Sequence, residues 1–366
     1  MRISINQSEL QNAIAAVYKG ISTRSTLPIL SGILLQAYQD TLTVQTSDLE
    51  LSIKYQVGTL VEEEGETVVP GRLFSEIIKN LPDAAVSLAL VDQNIAITCD
   101  AASYSIKTLD PKDFPSFPTV ETNQEISLPF NTFSSMVKKV ARMVSKDESK
   151  ATFTGILISM DGNFLRMVAT DSYRLAMTEV VFDQTQQEVF EAVISGKFLQ
   201  DIITLPYSND EVSLALSENQ IIVKTHNTVF VNRRIEGNFP NYAQLLPDSF
   251  ETKVILNVEA FFNAVKRVSL LDTKMTPIRI DVDADSQTVQ LSSIAQDVGK
   301  AQEVISCEVT GENSVIAFNH NFILDGLNSM DGESLSLEIK NSQKPGIFRS
   351  IGGSSFFYFI MPVRIQ

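Results

Sequence analysis

The stretch PGRLFSEIIKNLP (70–82) returns as SGKFLQDIITLP (195–206), at an offset of 124 or 125 residues. Each copy reads as a short helix closed by Leu-Pro. Other pairs outward from it keep the same spacing. ISINQSEL (3–10) matches ISLPFNTF (126–133), and GILLQ (32–36) matches GILIS (155–159), both 123 residues on. Asp48 of TSDLELS answers Asp171 of ATDSYRLA, and DFP (113–115) answers NFP (238–240). Matches in one order at nearly one offset define a repeat. A more diverged third copy opens with VILNVEAFFNAVKRVSLL (254–271), and its FNHNFILDGLNSM (318–330) resembles the helix of the opening stretch. The spacing predicts three homologous domains, 1–120, 121–250 and 251–366. Proline-bearing joints, LDPKDFPSFPTV (109–120) and FPNYAQLLPDSF (239–250), close the first two.

Within each domain the pattern halves again. A strand leads into a helix (Gln7–Ser22, then Leu73–Leu81), and alternating strands follow, as in TLTVQTSDLELSIKYQV (41–57) and AVSLALVDQNIAITCD (85–100). DGN (161–163), SEN (217–219) and ADSQ (284–287) supply turns. The fold class is α+β and strand-rich. Each domain holds two helix-plus-antiparallel-sheet halves, with its helices on one sheet face.

Hydrophobic content of 44% with 20% charged residues marks a folded globular chain. With 16 glycines and 13 prolines in 366 residues, no flexible linker is expected. The opening MRISINQSELQ lacks the apolar core of a signal peptide, and no apolar run approaches the roughly eighteen residues of a membrane span. Cys99 and Cys307 lie in strand-like segments far apart and read as buried free thiols. These features predict a soluble cytoplasmic protein. The net charge of -15 argues against indiscriminate adhesion to nucleic acid, and it is spread evenly, -6, -5 and -4 over the three domains, with no acidic or basic tail.

Against that acidity, NTFSSMVKKVARMVSK (131–146) contains no acidic residue. Wound as a helix, Phe133, Met136, Val137, Val140, Met143 and Val144 fill an arc roughly 120° wide, and Lys138, Lys139, Arg142 and Lys146 gather opposite. Two readings stand: an ordinary solvated face, or a local surface that meets a polyanion. Lys19, Lys266 and Arg267 sit on the corresponding first helices, Arg24 follows the first of them, and Arg72 and Lys197 open second helices. If the helices share one side, these cations converge.

Catalytic chemistry has no constellation to stand on. His226 and His320 are not within ligand spacing of a cysteine. DVDAD (281–285) imitates a calcium loop, but Ser286 and Ser292 replace its glycine and glutamate, so a hairpin tip is the better reading. No phosphate-cradling glycine loop occurs, and SIGGSS (350–355) lacks the spacing. Asp48 and Asp171, as equivalent residues of separate repeats, read as turn caps. No metal, cofactor or enzyme activity is expected.

Together STRSTLPIL (22–30), TSDLE (46–50), DFP (113–115), ATDSYRLA (169–176), NFPNY (238–242) and IMPVRI (360–365) resemble the bacterial sliding clamp family, the beta subunits of DNA polymerase III. The resemblance runs through the whole chain in family order. It implies the DNA clamp fold, with two chains head to tail in a closed ring whose helices face encircled duplex DNA. Contact would be weak and sequence-blind, through Arg24, Arg72, Lys138, Lys139, Arg142, Lys146, Lys150 and Lys197. It places a homodimer interface at Tyr104 and Ile106 of the strand Tyr104–Leu109, against Ser269, Leu270 and Leu271 of the partner.

The resemblance also implies recruitment of polymerase subunits, the clamp loader and repair factors through short linear peptides. Their pocket would be walled by Phe153, Thr170, Ser172, Tyr173, Arg174, Leu175, Pro240, Gln244 and Leu245. Phe359, Met361, Pro362, Val363 and Arg364 would complete it. Read from its residues alone, MPVRI is a final core strand. Gln244 and Gln366 depart from the family pattern, which bears on partner preference. The competing reading is a repeat scaffold that binds peptides and no nucleic acid.

Overall fold

The computed structural model describes residues 1–22, 26–120, 124–182, 190–205, 211–225, 227–245, 249–271, 277–295 and 298–364. The first repeat runs β1 (Arg2–Asn6), α1 (Gln7–Val17), β2 (Gly32–Tyr38), β3 (Thr41–Ser47), β4 (Leu51–Gly58), β5 (Leu60–Glu63), β6 (Gly65–Pro70), α2 (Gly71–Asn80), β7 (Ala85–Val91), β8 (Asn94–Cys99) and β9 (Ala102–Lys107). The second runs β10 (Gln124–Pro129), α3 (Phe130–Val140), β11 (Gly155–Asp161), β12 (Phe164–Thr170), β13 (Arg174–Val181), β14 (Phe190–Ser195), α4 (Gly196–Ile202), β15 (Glu211–Leu216), β16 (Gln220–Lys224) and β17 (Thr228–Arg233). The third runs β18 (Thr252–Asn257), α5 (Val258–Val268), β19 (Pro277–Asp283), β20 (Thr288–Ala295), β21 (Gly299–Ser306), β22 (Glu308–Gly311), β23 (Ser314–Asn319), α6 (His320–Leu327), β24 (Ser334–Ile339), β25 (Gly346–Ile351) and β26 (Phe356–Ile360).

Periodicity explains the elements. In α1, Leu10, Ala13, Ile14 and Val17 are buried; in α5, Phe261, Ala264, Val265 and Val268. Both sets follow the three-and-four spacing of a helix stripe. Asn257 caps α5 by accepting a hydrogen bond from the Ala260 amide at 2.9 Å. The strands alternate, as in β19, whose buried Ile278, Ile280 and Val282 are separated by more exposed residues. Among the described residues no helix is long and apolar enough to cross a membrane.

The chain forms two compact units. One comprises Met1–Phe133 with Asp201–Arg234, the other Ser134–Gln200 with Ile235–Gln366. In the first unit a five-stranded sheet runs β5-β1-β7-β8-β9, and an eight-stranded sheet runs β10-β15-β16-β17-β4-β3-β2-β6. In the second, a nine-stranded sheet runs β14-β11-β12-β13-β26-β25-β24-β18-β22, and a four-stranded sheet runs β21-β20-β19-β23.

The units cut across the sequence repeats because half-sheets of consecutive repeats are fused. The β17–β4 ladder pairs Val229 with Lys54 and Phe230 with Ile53. The β13–β26 ladder pairs Phe357 with Met177 and Tyr358 with Ala176. The proline-bearing joints cover these fusions. Phe117 and Val120 pack on Ala215, Ile222 and Val231, while Phe239, Tyr242 and Phe250 pack on a cluster containing Leu175, Phe357 and Phe359.

Three local expectations change. The helix from Gln7 ends at Val17 and tightens into a 3₁₀ turn over Tyr18–Gly20, where the Thr46 hydroxyl donates to the Val17 carbonyl at 2.6 Å. The helix expected over 131–146 is α3 followed by a 3₁₀ turn, Ala141–Met143. Cys99 is buried in β8, but Cys307 is only half-buried and lies between β21 and β22; both are free, and burial raises both thiol pKa values.

Candidate functional site

The β12–β13 turn positions the central side chains. Asp171 Oδ1 accepts the amides of Tyr173 and Arg174 at 3.0 and 3.1 Å, and the Thr170 hydroxyl donates to the Arg174 carbonyl at 2.6 Å. This Asx turn holds Ser172 at a φ of 81° and projects Tyr173, which is 64% exposed. The first repeat builds the same turn: Asp48 Oδ1 accepts the amides of Glu50 and Leu51, and Leu49 has a φ of 77°. Both aspartates therefore cap turns, as their spacing predicts.

Arg174 is buried under that turn. Its Nε bonds Asp171 at 2.9 Å, Nη1 bonds Asp325 of α6 at 2.6 Å, and Nη2 donates to the Arg142 carbonyl at 3.2 Å. The guanidinium lies 4.4 Å over the Phe322 ring, against which Tyr173 also stacks. Burial works against the Arg174 charge, but Tyr358, Asp325 and Asp171 outweigh it and raise its pKa. Burial pushes the Tyr358 phenol up, and its hydroxyl donates to the Phe322 carbonyl at 2.8 Å.

On one side of Arg174 lie the residues expected to hold a peptide. Leu175 pairs with Phe359 across β13 and β26, and both are core residues beneath Phe239 and Tyr242. The Met361 amide donates to the Tyr173 carbonyl at 2.8 Å, and the Val363 amide to Ala317 at 2.8 Å. MPVRI is therefore not a core strand. β26 ends at Ile360, after which Met361 and Val363 are 40% and 38% exposed, Pro362 is half-buried and Arg364 exposed. Phe153 and Pro240 are half-buried, Gln244 is exposed, and the Leu245 side chain and Gln366 lie outside the described residues.

On another side a cleft of about 980 Å³ collects Arg142, Lys146 and Lys197. Asp147, Glu148, Asp171 and Asp325 also line it, so with Arg174 four cations face four carboxylates. Lys138 and Lys150 are exposed, the latter 5.7 Å over the Phe153 ring. In the other unit Arg72 is exposed in the first turn of α2, while Arg24 and His226 lie outside the described residues.

Lys139 does not join the exposed cations. It is 5% exposed, its Nζ lies 2.8 Å from Asp331 Oδ2, and it also bonds the Ser354 hydroxyl. Burial opposes the Asp331 charge, yet the bonds to Lys139 and Ser354 hold its carboxyl below the ordinary value. The α3 helix ends one residue on, so its outward arc narrows to Lys138.

Tyr104 and Ile106 lie on β9, an edge strand of its sheet; Tyr104 is 42% exposed and Ile106 half-buried. The strand ends at Lys107, short of the expected Leu109, which bridges to Val68 instead. Ser269–Leu271 forms a 3₁₀ turn beside β20 and β21, with Leu270 78% exposed. Sequence reasoning missed Phe322, Asp325 and Tyr358. The acid in FILDGL gave no signal, because the other second helices carry acids at the same position, Glu76 and Asp201; what sets this helix apart is Asn321 where they carry Arg72 and Lys197.

Comparison with known proteins matches three family descriptions along the chain. They are the DNA polymerase III beta subunit N-terminal domain over residues 1–118, its central domain over 127–241 and its C-terminal domain over 243–364. The beta sliding clamp of Synechocystis sp. is 31% identical, with both chains covered in full. That of Bacillus subtilis is 28% identical, again over 100% of both chains. The crystal structure of the sliding clamp from Bacillus subtilis superposes with a TM-score of 0.96 at 27% identity, covering 100% of each chain.

Proposed function

The chain belongs to the DNA polymerase III beta subunit family, the beta sliding clamps, and we propose that two copies close head to tail into a ring around duplex DNA. The family is a non-catalytic processivity factor, so the work is tethering. The observation that carries the DNA reading is the shared cleft of Arg142, Lys146 and Lys197, with carboxylates interleaved. Lysines and arginines meet phosphates without reading bases, and nearby carboxylates keep each contact weak enough to slide.

The peptide reading rests on the exposed edge made by Tyr173, Met361 and Val363 above the Leu175–Phe359 core. An apolar segment in extended form can place side chains there. Polymerase subunits, the clamp loader and repair factors are the partners that such a seat would tether.

The test is duplex affinity as a function of salt. Arg142→Glu with Lys197→Glu is expected to weaken binding at least tenfold and to flatten the salt slope by about two contacts. An unchanged slope would leave the scaffold reading, with no nucleic acid, as the better account.

A further inference from the structure

The three repeats treat the start of their first helix differently. α1, α3 and α5 each run eleven residues, so Gln7, Phe130 and Val258 are equivalent. α2 and α6 start at Gly71 and His320, so Ile78 and Leu327 are equivalent. Gln7 is 5% exposed, and its Nε2 donates to the Ile78 carbonyl at 2.7 Å and to Gln11 Oε1 at 3.0 Å. Phe130 is 4% exposed, with its ring 6.3 Å from that of Phe133. Val258 is shorter and only half-buried, and a cavity of about 550 Å³ opens beside it.

Leu327 lines that cavity at the position Gln7 reaches in the first repeat, and Phe262 stands where Gln11 does. A polar clasp has become an apolar wall of Val258, Phe262, Leu327 and Met330. Glu259 and Glu333, both exposed, stand at its rim. No basic residue lines it, and Lys139 is held by the neighbouring Asp331. The first amides of α5 are already satisfied: Asn257 accepts from Ala260, and the Glu333 carbonyl accepts from Val258, both at 2.9 Å. The helix end therefore makes no demand for an anion.

We infer that this cavity docks a protein segment that inserts one aromatic side chain and presents a lysine or arginine beside it to Glu259 and Glu333. Buried side chains of the chain itself stand at the equivalent position in the other two repeats, one of them aromatic, so the space suits a side chain. Its volume is also in the range of sites that enclose a ligand group. The rim carboxylates favour a cation and repel the phosphates of a duplex. None of these six residues belongs to the peptide edge or to the cationic cleft, and occupancy does not depend on ring closure.

The experiment uses the full chain with methyl-labelled methionine and follows the Met330 methyl resonance, identified by its loss in Met330→Leu. The probes are acetyl-Gly-Phe-Lys-Gly amide, the same peptide with Glu in place of Lys, and phenylethylammonium, all at one ionic strength. The lysine peptide is expected to shift that resonance saturably, with a dissociation constant of roughly 1 mM. The glutamate peptide is expected to bind roughly threefold more weakly or worse. Val258→Phe, which installs the second repeat's side chain, is expected to weaken the lysine peptide by about tenfold or more. Glu259→Gln with Glu333→Gln, at exposed positions, is expected to erase the preference for lysine, and it reads the site even if Val258→Phe perturbs α5. No Met330 shift, or a shift that a folded Val258→Phe leaves intact, would overturn the site. Equal binding of the two peptides would overturn its charge selection. Phenylethylammonium binding with both peptides silent would make the ligand a small amine and overturn the protein partner.

Discussion

Lys139 and Asp331 form a pair whose members are unequally exposed, 6% and 41% by side chain, and that inequality sets the cost of breaking it. Asp331→Asn leaves a buried ammonium without its counter-charge, and the expected loss is about 3 kcal/mol. Lys139→Met leaves a carboxylate that water reaches, and the expected loss is about 1 kcal/mol after solvent screening. Chemical denaturation of both variants checks the order. Because the native Asp331 pKa lies below its ordinary 3.8, the pair's stabilisation is complete above about pH 4. It disappears as pH falls through the lowered native value, and Asp331→Asn is expected to remove that acid-side loss. The apolar arc of α3 was legible in the sequence, since Phe133, Met136, Val137, Val140 and Met143 are all buried. The fate of Lys139 was not. Its partners stand 192 and 215 residues away, and helical periodicity carries no information about them.

Gly326 shows how an element is fitted to its sheet. A Cβ there would lie 2.2 Å from the Tyr358 ring on β26, and that ring is fixed by its bond to the Phe322 carbonyl. Gly326→Ala, ordinarily helix-stabilising by about 1 kcal/mol, is expected to destabilise here by about 1–2 kcal/mol net through overpacking. Thermal unfolding checks the sign. Hydrophobic alternation made most strands and their DGN, SEN and ADSQ turns readable, because a strand's face is a local property. Which half-sheets fuse was not readable. The β17–β4 and β13–β26 ladders join residues more than 170 positions apart, and either edge alone is merely an alternating strand. Likewise Met361 and Val363 look like strand residues until β26 is seen to stop at Ile360.

At the scale of the whole molecule, the threefold repeat was legible because equivalent helices and turns kept their order over all 366 residues. The acidic total and the local cations agree with a body that surrounds DNA without adhering to it. Arg174 lies at the meeting of the cationic cleft and the peptide edge, so Arg174→Ala should damage both. The expected result is at least a tenfold loss of peptide affinity, read by fluorescence anisotropy, together with lower thermal stability from the unpaired Asp171 and Asp325. The central claim is topological, and retention on DNA addresses it most directly. The protein is loaded by a clamp loader onto nicked circular plasmid, isolated at moderate salt, and half the sample is linearised by a single restriction cut. The ring account predicts that it stays on the circle and leaves the cut molecule by its ends. Equal retention on both forms would contradict the account.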